Sequence, residues 1–200
     1  MKNLKVLMLS LLTMLLFVFA VPKALQYKVD PSQTKVKWIG QKVTGEHYGS
    51  VNITEGFLIV EEGVITGGTF SLDMTSIVVE DLGGMMKKKL EKHLKSEDFF
   101  GVEAHPTAKF VITKVYRQGK EKNEYKVVGN LTIKGITKEL KFPAVVEVDK
   151  ESLKAKATIT VDRTEFNVRY GSGSFFDDLG NKTIYDEFML EVELSAKVSA

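Results

Sequence analysis

Apolar and polar side chains alternate with a period of two along much of this chain, and that pattern restricts the folds it can adopt. The alternation is clearest over residues 125–134, 140–149, 153–162 and 188–198. Successive side chains of a β-strand point to opposite faces. Each of these segments is therefore predicted to be a strand with one buried face and one face in water.

The first half of the chain carries the same pattern in shorter runs. Glu62-Gly63 predicts a hairpin turn between two of these strands. Pro143 lies inside a later strand pattern, and since Pro has no N–H to donate, we expect it at an edge, at a bulge, or where the ladder needs no donor. The strands predicted in the first half are residues 35–40, 46–54, 56–61, 64–75 and 107–117.

One segment departs from the alternation. Over residues 85–94 the apolar side chains of Met86, Leu90 and Leu94 recur every four residues, with lysines between them. This spacing is typical of a short amphipathic helix. About eight antiparallel strands with one wet face must either close or stack, so the chain is predicted to be all-β. A closed barrel of about eight strands has no edges and can hold one small ligand. A sandwich of the same strands is the alternative.

The N-terminal segment predicts export. Lys2 and Lys5 precede an apolar run over residues 6–20, and Val18 and Ala20 place small residues at the −3 and −1 positions of a cleavage site. This is the pattern of a secretory signal peptide. The apolar run is shorter than the ~20 residues that a membrane-spanning helix needs.

We therefore predict a signal peptide over residues 1–20, with cleavage as late as Ala24, and one barrel domain over residues 21–200. The protein is predicted to be periplasmic or secreted. The chain has no cysteine, which excludes a lipid-modified cysteine anchor, disulfides and thiol catalysis.

The charge balance gives no sign of a nucleic-acid partner. The chain has 28 Lys and Arg against 26 Asp and Glu. Since the leader carries two lysines and no acid, the mature domain has 28 − 2 = 26 bases against 26 acids. A neutral domain lacks the basic footprint that nucleic-acid binding requires.

The sequence also lacks a recognisable catalytic or metal-binding pattern. The three histidines are far apart, and none has a metal-ligand spacing to a second one. We predict no enzyme activity, no cofactor and no metal. Two alternatives stay open: a calcium site within residues 176–181, and an enzyme that acts on a lipid or sugar at the barrel mouth. The candidate actors of that enzyme are His105, Arg169, Asp177 and Asp178.

Two further features allow either a structural or a functional interpretation. Five lysines of the predicted helix form a solvated face or a cationic lip at the mouth: Lys87, Lys88, Lys89, Lys92 and Lys95. Small residues on the inward strand faces either leave volume for a ligand or make room for large neighbours such as Trp38, Phe110 and Phe142. These small residues are Gly129, Ala144, Ala155, Ala157 and Ala196.

Several motifs together resemble the YceI-like family. Residues 93–100, HLKSEDFF, precede residues 105–110, HPTAKF, and residues 129–138 read GNLTIKGITK. Residues 27–30, YKVD, are similar to the opening strand of that family. The resemblance covers nearly all of residues 27–200.

The resemblance implies a lipocalin-like, eight-stranded antiparallel barrel with a short helical insertion, exported in bacteria, with a polyisoprenoid in its lumen. It places Leu94, Phe99 and Phe100 on the insertion that packs against the barrel. Residues 162–166, DRTEF, resemble a late strand of the family, but Asn167 stands where many members have Gly. Residues 171–186 match no common pattern of the family.

We therefore predict a non-enzymatic carrier of a polyisoprenoid, an isoprenoid quinone or another long-chain lipid. Transient contact with a membrane surface and a homodimer stay open. A barrel that itself spans a membrane is disfavoured, because aromatic girdles at both strand ends are missing. Contacts with the lipid head group are predicted for His93, Lys95, Arg169 and Tyr170. Lumen and mouth contacts are predicted for Trp38, Phe57, Phe70, Leu90, Leu94, Phe99, Phe100, Phe110, Leu131, Phe142, Phe166 and Phe188.

Overall fold

A computed structural model describes residues 24–119, 121 and 123–199. The predicted signal peptide, residues 1–20, lies outside the described residues. The described residues form one helix, α1 (Gly84–Lys95), and three short 3-10 turns at Pro31–Gln33, Arg163–Phe166 and Gly180–Lys182. The strands are β1 (Leu25–Val29), β2 (Lys35–Lys42), β3 (Gly45–Glu61), β4 (Val64–Val79), β5 (Thr107–Arg117), β6 (Glu124–Ile133), β7 (Ile136–Val148), β8 (Ser152–Asp162) and β9 (Ile184–Val198).

The nine strands build an eight-stranded closed barrel because β1 and β2 share one position. Both run antiparallel to β3, β1 against residues 57–60 and β2 against residues 45–50, and both also pair with β9. The barrel closes through the β3–β4 ladder. The predicted all-β, eight-stranded antiparallel barrel with a helical insertion is confirmed.

Two hairpin turns fix the register of the long strand pairs. Glu62 and Gly63 have φ angles of 51° and 74°, and Lys134 and Gly135 have the same two values. Two consecutive residues with positive φ match the right-handed twist of the flanking strands, which is why such two-residue turns are favoured. The predicted hairpin at Glu62-Gly63 is confirmed.

Strand β3 corrects one prediction. The sequence predicts two strands over residues 46–54 and 56–61, whereas the structure has a single strand whose register with β4 shifts between Ile53 and Glu55. A β-bulge places an extra residue in one strand, so it interrupts the alternation of side chains without ending the strand.

Pro143 lies where β7 parts from β8. Strand β7 pairs with β6 from Ile136 to Val145, but its ladder with β8 begins only at Ala144. At Pro143 the strand therefore has a neighbour on one side only, and the missing N–H costs no bond to β8. Of the three predicted settings, this agrees with the local edge.

The two ends of the barrel are built differently. Helix α1 and residues 163–183 connect strands at one end, and we call this the α1 end. At the opposite end Tyr27, Tyr125 and Leu153 are buried, and the Tyr27 hydroxyl donates to the Asp149 carbonyl at 2.7 Å. Side chains thus fill that end of the barrel. Among the described residues, no helix is both long and apolar enough to cross a membrane.

Candidate functional site

The barrel interior contains an apolar cavity of about 210 Å³. Strands β2 to β9 contribute to its wall, and the helical insertion covers part of the α1 end. Cavities of ~150 Å³ lined by Leu, Ile and Phe stay dry and bind benzene-sized guests. The volume and the lining are therefore those of a site for an apolar molecule.

Trp38 and a cluster of phenylalanines shape the cavity wall. The Trp38 indole N–H donates to the Val78 carbonyl at 3.2 Å, so its polar edge is satisfied while its ring faces the lumen. The ring of Phe110 lies 5.5 Å from that of Phe142 and 6.4 Å from that of Phe70, measured between centroids. Such spacings are typical of aromatic pairs that pack in a protein core.

The small inward residues divide between the two roles that the sequence left open. Ala144, Ala155 and Ala157 line the cavity, and Ala144 lies opposite Ala157 in the β7–β8 ladder. Gly129 instead makes room for Phe110, because a Cβ there would overlap the edge of the phenylalanine ring. Ala196 is fully buried and does not border the cavity. Only the three alanines leave volume for a ligand.

The helical insertion contributes three side chains to the cavity. Leu94 comes from the last turn of α1, and Phe99 and Phe100 come from the turn after it. The Phe100 ring lies 5.0 Å from the Phe99 ring and 6.3 Å from the Phe188 ring of β9. These contacts connect the insertion to the barrel wall.

Most of the predicted lumen residues lie on the cavity wall. Phe57, Leu90 and Phe166 do not border it. Phe57 precedes the inward-facing Leu58, so alternation directs it to the outer face. Leu90 lies on α1 and packs against the core, and Phe166 is fully buried in the turn after β8. The nine on the wall are Trp38, Phe70, Leu94, Phe99, Phe100, Phe110, Leu131, Phe142 and Phe188.

The four predicted head-group residues do not line the cavity. The His93 ring packs edge-on against Tyr170, 4.4 Å between centroids, and its buried Nε2 atom has no hydrogen-bond partner. Arg169 lies over the Phe175 ring at 4.6 Å. Lys95 is half-buried at the end of α1. His93 and Tyr170 join the helix to the loop over residues 167–183.

Arg163 is a site residue that sequence reasoning missed. It lines the cavity, although only 2% of its surface is exposed. Its guanidinium donates to the carbonyls of Val168 at 2.7 Å, Ile184 at 2.9 Å and Tyr185 at 3.0 Å. Burial lowers the pKa of Arg163 from its ordinary value, and the neighbouring carboxylates oppose that shift. The DRTEF motif is the one feature of the sequence that points to Arg163, and it does not indicate that the side chain is buried.

A carboxylate completes this polar network. Asp186 Oδ1 lies 3.5 Å from the Arg163 guanidinium, and Asp186 Oδ2 accepts from the Ser174 hydroxyl at 2.5 Å. Burial by itself raises the pKa of Asp186. The hydroxyls of Ser172 and Ser174 and the charge of Arg163 together lower it by more than burial raises it, so the pKa falls below its ordinary value. The network anchors the loop over residues 167–183 to the start of β9.

Tyr185 lies between the cavity and the surface at the α1 end. It borders the cavity and is nevertheless 48% exposed. It also borders a shallow depression formed by the β2–β3 hairpin around Val43. Tyr185 thus adjoins both the lumen and the surface beside this hairpin.

The candidates for catalysis do not assemble into a site. Arg169 stacks on Phe175, His105 lies beside Gly135, and Asp177 and Asp178 are exposed. Within the described part of the chain, no three His, Asp or Glu side chains come together in a way that could hold a metal ion.

A closed antiparallel barrel with an apolar cavity in its interior defines a lipocalin-like class of protein. The sequence model of the YceI-like domain matches residues 27–196, and the chain belongs to that family. The resemblance inferred from the motifs is thereby confirmed.

Comparisons with individual proteins agree with this assignment. A UPF0312 protein of Pectobacterium atrosepticum is 28% identical over 127 residues, which are 60% of this chain and 61% of that protein. A second UPF0312 protein, from Photorhabdus laumondii, is 46% identical over 48 residues, which are 24% of this chain and 23% of that protein. The chain thus spans about 61% of the length of the first of these relatives.

Two solved structures are similar in fold. BcnA of Burkholderia cenocepacia superposes with a TM-score of 0.63 at 23% identity, over 84% of this chain and 99% of that one. A polyisoprenoid binding domain from Saccharophagus degradans gives a TM-score of 0.60 at 9% identity, over 86% and 98%. At these identities the likeness supports the fold alone.

Proposed function

We propose that this protein is an exported, non-enzymatic carrier that holds a long apolar lipid, a polyisoprenoid or an isoprenoid quinone, inside its barrel. The observation that carries the proposal is the apolar cavity of about 210 Å³, which side chains close at one end and which Tyr185 borders at the other. The family match and a structural relative described as a polyisoprenoid binding domain support the same ligand class. Export is supported by the signal-peptide pattern of residues 1–20.

The chemistry of the wall favours a hydrocarbon over a polar guest. Arg163 is the charged side chain buried at the cavity, and backbone carbonyls and Asp186 already occupy its guanidinium. A polar ligand would lose its water without gaining partners there, which costs several kcal/mol. Each buried CH₂ contributes roughly 0.8 kcal/mol, so a five-carbon unit contributes about 3–4 kcal/mol. Several such units outweigh the ~4–15 kcal/mol cost of association.

A lumen-filling variant tests the proposal. Ala157→Phe places a ring inside the cavity, and Thr158→Phe places the same ring on the outer face one residue later. Both proteins, and the unchanged protein, are purified without detergent from cells that express the full chain. Native mass spectrometry and organic extraction then measure the bound lipid. We expect the unchanged protein and Thr158→Phe to carry an apolar lipid of several five-carbon units, and Ala157→Phe to lose most of it.

Two outcomes would contradict the proposal. One is a folded, unchanged protein with no extractable lipid that also takes up no added isoprenoid. The other is lipid that persists equally in Ala157→Phe, because such lipid is bound outside the lumen. Circular dichroism and thermal unfolding show that each variant retains the barrel.

A further inference from the structure

The connections at the two ends of the barrel differ sharply in polarity. At the end opposite α1, the described residues of three connections, 62–63, 118–119, 121, 123 and 149–151, are all charged residues, Gly, Asn or Gln. Eleven large apolar side chains are exposed among the described residues, and seven of them lie at the α1 end. These seven are Val43, Met85, Met86, Tyr170, Phe175, Phe176 and Tyr185. Large exposed apolar patches on a soluble domain mark interaction sites.

The elements that carry these seven side chains are in contact with one another. The Val43 amide donates to the Thr183 carbonyl at 3.2 Å, which joins the β2–β3 hairpin to the loop over residues 167–183. The Tyr170 ring packs against His93, which joins that loop to α1. We call the seven side chains together the apolar rim.

Helix α1 adds positive charge to the apolar rim. It contains five lysines against one glutamate. That glutamate, Glu91, already accepts from the Val79 amide at 3.0 Å and lies 3.8 Å from Lys87. Lys88, Lys89 and Lys92 are exposed. The loop over residues 167–183 is neutral, since Arg169 and Lys182 balance Asp177 and Asp178.

We propose that the apolar rim and the α1 lysines dock this end of the barrel on the surface of an anionic lipid bilayer. Apolar side chains that enter the acyl boundary and lysines that reach the head groups are the combination by which interfacial helices bind membranes. Each Lys near an anionic surface adds to the attraction, and salt weakens it. Met85 is 81% exposed and Met86 is 62% exposed, so burial in the barrel does not account for two apolar residues there.

This orientation would bring the cavity close to the membrane. Tyr185 belongs to the apolar rim and also borders the cavity, so the docked surface adjoins the lumen. A lipid could then pass between bilayer and lumen with little exposure of its chain to water. Only this transfer of lipid rests on the proposed function. The docking itself does not, because the attraction to a vesicle requires no ligand in the lumen.

The test is cosedimentation with sucrose-loaded vesicles, either of phosphatidylcholine alone or of phosphatidylcholine with one third phosphatidylglycerol, at low and high salt. The variant Met85→Gln/Met86→Gln removes two rim side chains without a change in charge, and Lys88→Gln/Lys89→Gln removes charge without loss of apolar surface. The matched control Tyr116→Gln/Val145→Gln removes two exposed apolar side chains from the barrel wall. All six residues are exposed, so the variants are expected to fold.

We expect the unchanged protein to bind the anionic vesicles more tightly than the neutral ones and to lose this preference at high salt. The affinity of the methionine variant for the anionic vesicles should be roughly tenfold weaker than that of the unchanged protein. The lysine variant should lose the preference for anionic vesicles, and the wall variant should bind as the unchanged protein does.

Three results would overturn the docking. The first is an absence of vesicle binding at low salt, and the second is an equal loss in the wall variant. The third is a dimer in light scattering that dissociates in the methionine variant while no vesicles are bound, which would identify a second copy of the chain as the occupant.

Lipid extraction from the same samples separates this proposal from the carrier function. Protein without lumen lipid that still binds vesicles leaves the docking standing, and lipid-loaded protein that binds none refutes it.

Discussion

At the scale of single residues, Arg163 explains how the α1 end of the barrel is held together. The register of β9 against β2 is irregular between Gly40 and Lys42, so the carbonyls of Ile184 and Tyr185 lie beside a break in the ladder. The Arg163 guanidinium donates a hydrogen bond to each of these two carbonyls. A planar fork with several N–H groups suits this position, and a lysine could not reproduce it. The cation is thus a structural substitute for strand pairing.

Replacement of Arg163 should therefore be costly. Arg163→Leu would leave three carbonyls at least partly buried without their donor and Asp186 without its neighbouring cation. Each unsatisfied buried group costs about 1–3 kcal/mol. We expect the free energy of unfolding in urea to fall by about 3 kcal/mol or more. The control Arg169→Leu loses only a contact with Phe175 at the surface and should stay within about 0.5 kcal/mol. Equal effects of the two substitutions would show that the buried network contributes nothing specific.

At the scale of elements, the wall of the barrel depends on a close approach between β5 and β6. Gly129 of β6 lies under the Phe110 ring of β5, and an added Cβ would be 2.6 Å from the Val111 carbonyl as well. The backbone at Val111 has no room to move because both strands are paired on each side. Gly129 thereby sets the position of a ring that lines the cavity.

Gly129→Ala should destabilise the barrel by about 1–3 kcal/mol, because overpacking forces side chains and backbone from their minima. It should also reduce the lipid that copurifies, since Phe110 can yield only toward the lumen or across the strand pair. Gly67→Ala is the matched control, since its Cβ would lie an ordinary 3.7 Å from Ile59. Chemical denaturation and lipid extraction of both variants measure the two effects. A harmless Gly129→Ala would contradict the close approach.

The sequence predicts the elements well where local pattern decides them, and poorly where distant backbone does. Alternation places β6 to β9 and the period of four places α1, because both patterns reflect burial of one face. Asn167 adopts a left-handed conformation at φ 60°, so the Asn that replaces the family's usual Gly still fits the turn. Arg163 could not be predicted as buried, since two of its acceptors lie more than twenty residues away. The same limit applies to Gly129, whose role depends on Phe110 across the ladder.

At the scale of the whole molecule, the barrel is closed at one end and hollow in the middle. Tyr27, Tyr125 and Leu153 fill the end opposite α1, while Ala144, Ala155 and Ala157 leave the centre open. An empty apolar cavity forgoes van der Waals contacts that its lining atoms would otherwise make. A ligand that binds only the folded state therefore adds its binding free energy to the stability of the protein.

A series of isoprenoid alcohols of increasing length should reveal the size of this cavity. Each additional five-carbon unit contributes about 3–4 kcal/mol while it is buried, so we expect Kd to tighten on the order of a hundredfold per unit. The gain should stop once the chain fills the lumen, and it should stop at a shorter chain in Ala157→Phe than in Thr158→Phe. Thermal unfolding of delipidated protein with each alcohol measures this, because Tm rises with affinity. Straight-chain alcohols of equal carbon number should bind within about a hundredfold, because an apolar pocket distinguishes a methylene by only ~1–3 kcal/mol. An affinity that does not change with chain length would mean that the hydrocarbon stays outside the barrel.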